Sequence, residues 1–310
     1  MDKLKVCFVG IGSIAKRHIR NLHTVCKERG IDLQIDAYRR NNSPVKGVSY
    51  VYDSIEAVPN DYDAIFITNP TEMHLESLKD FHDKGKHFFI EKPVVSLNQI
   101  DTAKKFQTRD DCFYYVAGPL RYNAVIQWIK ENVSPHQVIS VRSISSSYLP
   151  DWRPGQDYRN TYSAHKDMGG GVSIDLIHEW DYLSYLFGWP EKIYSLIGKK
   201  SNLEIDSDGY AIYIAEFEDK IAELHLDYFG RKTIREIQLF TKEDTIVGDI
   251  ANNRIHYLKS GRTIEFHEER DDYQKRELTY FLDMIKGNRI MEDGYHHGID
   301  VLKLTQGTMK

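Results

Sequence analysis

KVCFVGIGSIAKRHIRNLHTVCKERG (5–30) changes its hydrophobic period at a glycine turn, and that change decides the fold. KVCFVG is a short apolar run of strand character that enters the turn at Gly10. Beyond it Ala15, Ile19, Leu22 and Cys26 recur at helical spacing until Gly30. A glycine pattern alone is a weak signal, but strand, Gly-x-Gly-x-x-Ala and helix in that order predict a dinucleotide-binding turn. Gly10 permits the tight turn, Gly12 lets backbone approach a pyrophosphate, and Ala15 lets helix and strand pack closely. The first-turn N–H groups, from Ser13 and Ile14 onward, offer that phosphate unpaired donors and the positive end of the helix dipole.

The alternation continues. LQIDAY (33–38), VSYVY (48–52), DAIFITNP (63–70), HFFIEKP (87–93) and CFYYVAG (112–118) read as five more strands. Helical stretches such as HLESLKDFHDKG (74–85) and residues 97–107 lie among them. Near-continuous apolar strands alternating with helices predict a doubly wound parallel sheet covered on both faces, the Rossmann architecture. A chain of 310 residues leaves room for a second domain. With 41% hydrophobic and 28% charged residues, it falls among folded rather than disordered proteins. A formal charge of −5 with both signs mixed gives no footprint for nucleic acid. No apolar run approaches the ~18–20 residues of a membrane span, and MDKLKVCFVG lacks the h-region of a secretion signal. Cys7, Cys26 and Cys112 are odd in number and far apart, which predicts free thiols and a cytoplasmic location.

Cofactor choice is read after the second strand, where an acid would bind the ribose hydroxyl of NAD and arginine would accommodate the phosphate of NADP. Arg39 and Arg40 stand there, and Asp36 falls inside the strand. The expected cofactor is therefore NADP in preference to NAD. The two arginines also read as a solvated edge.

GGGVSIDLIHEWD (169–181) spaces Asp175, His178 and Asp181 by three, which places them on one side of a single helix. His178-Glu179 begins an HExxH zinc pattern, but the second histidine would have to be Tyr182, so no metal is expected. Ile174, Leu176, Ile177, Trp180 and Leu183 around the histidine predict a mostly buried helix. A buried histidine held by carboxylates fits either acid/base chemistry or a purely structural role. The glycines at 169–171 give close backbone approach at the entrance to this segment. Lys92, before Pro93 at the end of a parallel strand, reads equally as a surface lysine.

With GIGSIA, TNPTEMH (68–74), GKHFFIEKPV (85–94) and GGGVSIDLIHEWD in order, the chain resembles the glucose–fructose oxidoreductase / inositol dehydrogenase (Gfo/Idh/MocA) family over nearly its whole length. The resemblance implies an N-terminal Rossmann domain, drawn here as 1–118. It implies a C-terminal α/β domain, 119–310, with a large, mostly antiparallel open sheet that forms subunit interfaces. The residues agree independently: IYSLIG, YAIYIAEF, IAELHLDYF, IREIQLFT and TIVGDI between 193 and 250 read as an antiparallel meander, followed by helices at 272–287 and 295–308.

The resemblance also implies roles. Asn69, Pro70, His74 and Glu91 fall in the motifs beside the cofactor. Lys92 matches the lysine that contacts the substrate hydroxyl near the nicotinamide. His178 matches the acid/base histidine, with Asp175 as its carboxylate partner, although many members place that aspartate four residues before the histidine rather than three. The implied reaction is hydride transfer at a hydroxyl-bearing carbon of a small sugar, amino sugar or nucleotide sugar, in a homo-oligomer, dimer or tetramer. RSISSSYLPDWRPGQDYRNTYSAHKDMGGG (142–171) reads as a long polar and aromatic loop. Arg153, Tyr158, Arg159 and Tyr162 in it, with Arg121 and Tyr122 of GPLRYN, are the candidate substrate contacts. YLPDWRPGQDYR and HEWDY resemble a branch associated with bacterial surface sugars. Two other classes remain open: a glycosidase that oxidises its sugar transiently on NAD, and a regulatory protein that binds NAD(P) without chemistry.

Overall fold

The computed structural model describes residues 2–287 and 294–307. The first sheet is built from β1 (Lys3–Val9), β2 (Asp32–Tyr38), β3 (Tyr50–Tyr52), β4 (Tyr62–Ile67), β5 (Gly85–Ile90) and β6 (Tyr114–Val116). Helices α1 (Ser13–Glu28), α2 (His74–Asp80) and α3 (Ile100–Ala103) connect them. Every pairing is parallel, in the order β3-β2-β1-β4-β5-β6. This is the doubly wound sheet expected from the period changes, with the glycine turn at the C-terminal end of its central strand.

The second sheet has eight strands: β7 (Val138–Tyr148), β8 (Lys192–Gly198), β9 (Tyr210–Glu216), β10 (Ile221–Asp227), β11 (Phe229–Thr241), β12 (Thr245–Asp249), β13 (Arg254–Tyr257) and β14 (Thr263–Glu265). Helices α4 (Ala124–Asn132), α5 (Val172–Asp175) and α6 (His178–Phe187) belong to the same part of the chain. The order is β14-β13-β12-β11-β7-β10-β9-β8, antiparallel except for β7 against β10. Two expectations change here. The run 142–171 is not all loop, because its first seven residues complete β7 at the centre of the sheet. The meander is also interrupted: β7 lies between β10 and β11, and Tyr228 carries the chain across its end. Serines satisfy a central strand because each buried hydroxyl has a partner: Ser143 with the Tyr182 hydroxyl at 2.6 Å, Ser146 donating to Asp227 at 3.0 Å, and Ser145 accepting from Arg235 at 3.3 Å.

The last helices are α7 (Arg270–Ile285) and α8 (Gly294–Leu304). Residue 308, the end of the last expected helix, lies outside the described residues. The chain forms two compact units, Met1–Ala117 with Arg270–Ile299, and Gly118–Glu269 with Asp300–Lys310. A single division at 118/119 therefore does not describe it: α7 returns to the first unit. The reason is an aromatic ladder across the first sheet. Phe8, Phe66, Phe89 and Tyr115 are register neighbours with centroids 4.5, 4.9 and 5.2 Å apart, and Phe281 of α7 meets Phe66 and Phe89 edge-on. Arg29–Asp283 and Arg20–Asp271 pairs tie α7 to α1.

Cys7, Cys26 and Cys112 are free and buried. No helix among the described residues is long and apolar enough to cross a membrane.

Candidate functional site

In the first unit, the glycine turn is held from behind. Gly10 has φ +84°, and a Cβ there would lie 2.7 Å from Asn69 Cα. Both backbone conformation and space therefore demand glycine. Thr68 donates its hydroxyl to the Gly10 carbonyl at 2.8 Å. Gly12 is the N-cap of α1 with no side-chain cap, and the first turn carries no acid. A Cβ at Gly12 would meet nothing within 4 Å, so open space lies over the helix N-terminus. Asn69 Nδ2 donates to Ser77 at 2.8 Å, while the buried Asn69 Oδ1 has no partner among the described residues. Uncapped N–H groups and adjoining open space fit a dinucleotide phosphate over Gly10–Ile14.

Asp36 is 1% exposed and accepts from the Tyr62 hydroxyl at 2.9 Å and from Gln34. It is thus unavailable to a ribose. Arg39 and Arg40 follow β2, Arg40 exposed and Arg39 partly so, and neither guanidinium has a side-chain partner among the described residues.

His74 is buried, with Nε2 3.0 Å from the Asn69 carbonyl and Nδ1 3.1 Å from that of Pro93. It thereby clasps the TNPTEMH turn to the EKP turn. Burial lowers its pKa although the carbonyls oppose this. Pro70 is exposed beside it. Glu91 meets His18 Nε2 at 2.5 Å, and His18, 1% exposed, lies on α1 beneath the glycine turn. Burial would raise the Glu91 carboxyl, but the His18 hydrogen bond and the charges of His18, Lys92 and His74 outweigh it and hold it below its ordinary range. The Lys92 backbone N–H also donates to Glu91, at 3.3 Å. His18, not singled out in the sequence, thus connects the helix after the glycine turn to the residue before Lys92.

In the second unit, the expected single helix is broken. After α5, Leu176 and Ile177 form a turn, the Ile177 and Glu179 N–H groups bond three residues back, and α6 starts at His178. Asp175 and His178 consequently belong to different helices. From Gly170 to Trp180 every residue but His178 is buried. Gly171 has φ +132°, and a Cβ there would fall 2.2 Å from Asp208 Oδ1. The close approach of the glycines is thus to the protein's own chain. Asp208 accepts the Ser173 N–H at 2.8 Å and caps α5.

Asp175 is 7% exposed and accepts from the Tyr228 hydroxyl at 2.6 Å. Burial and the adjacent carboxylate push the Tyr228 ionisation well above its ordinary range, so this hydroxyl remains a donor. Tyr162 faces the same carboxylate, and Arg153 lies 5.2 Å over the Tyr162 ring. Among the loop candidates, Tyr162 comes to Asp175 and Arg153 to Tyr162. Arg159 instead pairs with Asp157 and Glu204, and Tyr158 accepts from the Glu204 N–H. Arg121 makes a bidentate pair with Asp181 at 2.9 and 2.6 Å, followed by the partly buried Tyr122. Asp208 and Tyr228 escaped the sequence reading because neither lies in a recognisable motif. His165, Asp167 and Asp206 also converge, with potential ligand atoms within 4.8 Å. They are surface groups, and the Asp206 hydrogen bond raises the His165 imidazole.

Residues 4–117 match the family model described as an oxidoreductase family with an NAD-binding Rossmann fold, GFO_IDH_MocA. The uncharacterized oxidoreductase YrbE of Bacillus subtilis (strain 168) is 26% identical over 187 residues, 58% of this chain and 52% of YrbE. The chain's matches span little more than half the length of its curated relatives, 52% and 58%. UDP-N-acetylglucosamine 3-dehydrogenase GnnA from Acidithiobacillus ferrooxidans superposes with TM-score 0.78 at 18% identity, over 99% of this chain and 96% of that one. Levoglucosan dehydrogenase in complex with NADH and levoglucosan superposes with TM-score 0.82 at 15% identity, over 99% and 96%. At such identities the likeness is one of fold. The segment that carries the glycine turn and the parallel sheet described above, residues 4–117, is thus similar to the NAD-binding Rossmann domain of the Gfo/Idh/MocA oxidoreductase family.

Proposed function

We propose that this protein is an NADP(H)-preferring oxidoreductase acting on a hydroxyl-bearing carbon of a sugar-type substrate. The observation that carries the reading is the exposure pattern of 170–180: a buried segment in which His178 alone reaches the surface, with a carboxylate fixed nearby by Tyr228. Bound nicotinamide supplies the hydride acceptor or donor. In the oxidative direction an imidazole nitrogen of His178 takes the hydroxyl proton. The Lys92 ammonium hydrogen-bonds the same oxygen and offsets its developing negative charge. Asp175 stabilises the protonated imidazole. Gly10–Ile14 hold the pyrophosphate, and Arg39 and Arg40 take the 2′-phosphate. The buried Asp36 supports NADP over NAD, and three buried free thiols agree with a cytoplasmic location. We further propose a homo-oligomer built on the open sheet.

The test is steady-state turnover of sugars with NADP(H) and NAD(H) by the wild type, Lys92→Met and His178→Asn. Each substitution is expected to lower kcat by at least ~10²-fold, the range of a lost general base or oxyanion contact, with cofactor affinity retained. Near-wild-type turnover in both variants would sink the assignment. A higher kcat/KM with NAD than with NADP would remove the role given to Arg39 and Arg40.

A further inference from the structure

The second unit contains a cavity of about 290 Å³ lined by Tyr148, Lys200, Ser201, Asn202, Leu203, Phe229 and Arg231. Its lining is one-sided in charge, with two cations and no acid. The nearby acids are already engaged, Glu204 with Arg159 and Asp206 with His165. The Arg231 guanidinium stacks 3.9 Å over the Tyr148 ring and has no carboxylate partner among the described residues. The Lys200 ammonium and the Asn202 amide have no side-chain hydrogen-bond or ionic partner among the described residues. Stacking fixes the guanidinium plane and leaves its N–H fork to an incoming acceptor, a geometry suited to phosphate.

This cavity is wired to the acid/base elements of the same unit. Asp227 accepts from Ser146 and from the Phe229 and Gly230 N–H groups at 3.0, 3.0 and 2.9 Å, which fixes the turn between β10 and β11. That one turn aims Tyr228 at Asp175 and places Phe229 and Arg231 in the cavity wall. Lys200–Leu203 belong to the connection that ends at Asp208, the cap of α5. Trp152, four residues after Tyr148, meets Tyr228 edge-on at 5.2 Å. A volume at the lower end of ligand pockets, ~300 Å³, suits one substituent of a ligand rather than the whole.

The geometry points to an anion subsite: Arg231 and Lys200 bind a phosphate group carried by the sugar substrate, with Tyr148 and Phe229 flanking it. The assignment rests on the sugar oxidoreductase reading and narrows it to phosphorylated sugars, either sugar phosphates or nucleoside-diphosphate sugars.

The experiment is calorimetric titration of the full-length protein, saturated with NADPH so that the dinucleotide site is blocked. The probes are glucose 1-phosphate, UDP and glucose, each with wild type, Arg231→Lys and the double variant Arg231→Ala/Lys200→Ala. At least one phosphate probe is expected to bind ten- to a hundredfold more tightly than glucose, the scale of hydrogen bonds to charged groups. The double variant loses that preference at unchanged NADPH affinity, and Arg231→Lys loses part of it. Tighter binding of UDP marks the nucleotide class, and tighter binding of glucose 1-phosphate the simple phosphates. Equal affinity for phosphates and glucose, or a preference intact in the double variant, overturns the subsite. Turnover of neutral sugars at the same kcat/KM in wild type and double variant removes the subsite and leaves the oxidoreductase standing. Phosphate binding lost in the double variant, without turnover of any sugar, removes the oxidoreductase reading instead.

Discussion

Tyr228 gives Asp175 a hydrogen-bond donor that no motif marks, from a strand connection fifty-three residues away. A buried carboxylate needs such partners, because removing it from water without them costs several kcal/mol. The donor also holds Oδ2 of a carboxylate that stands three residues before His178 and on a different helix. Tyr228→Phe should lower stability by about 2 kcal/mol, the range of a hydrogen bond to a charged group, as measured by urea unfolding. As a positioning residue, Tyr228 should also affect chemistry: kcat falls about tenfold with KM nearly unchanged, and the pH profile of kcat shifts. A variant that loses stability while keeping the wild-type kcat and pH profile would restrict Tyr228 to packing.

The strand, turn and helix of 3–28 were legible because three signals agree there: the period changes from strand to helix, glycines stand at the change, and apolar residues flank both sides. Gly10 shows what that agreement protects. Gly10→Ala meets both a left-handed backbone and Asn69 Cα at 2.7 Å, whereas Gly30→Ala meets a similar backbone, φ +65°, with nothing within 4 Å. Gly30→Ala should therefore cost about 1–2 kcal/mol of stability and leave NADPH affinity unchanged. Gly10→Ala should weaken NADPH binding at least tenfold in a fluorescence titration, because the turn must move to relieve the clash. Equal NADPH affinities for the two variants would mean that the turn does not hold the phosphate. Two other elements were illegible for physical reasons. β7 lacks apolar alternation because buried serines are satisfied by Tyr182, Asp227 and Arg235, groups distant in sequence. The break between α5 and α6 carries neither glycine nor proline, so nothing local announces it.

At the scale of the molecule, long-range packing decides what sequence order does not. α7 belongs to the first unit because Phe281 closes an aromatic ladder whose four members lie on four different strands. The second sheet poses the opposite problem, since one face is covered and the other is not. Tyr194, Leu196 and Ile214 are 57, 61 and 49% exposed on the outermost strands β8 and β9, with Tyr194 and Ile214 in direct register. Further along the same row, Glu223 and Arg142 are register neighbours and pair at 3.0 Å. Apolar side chains in contiguous rows on a sheet face are what a subunit interface presents, and they support the proposed homo-oligomer. The expected occupant is a second copy of the chain, because most soluble oligomers are symmetric assemblies of identical subunits. Leu196→Glu places a charge at the most exposed apolar position of this face without touching the buried one, so the fold should survive. Sedimentation velocity of the wild type should show a dimer or larger species, and Leu196→Glu should shift it toward monomer with an unchanged circular-dichroism spectrum. A wild type that sediments as a monomer at micromolar concentration, or a variant that keeps the wild-type assembly, would take the interface away from this face.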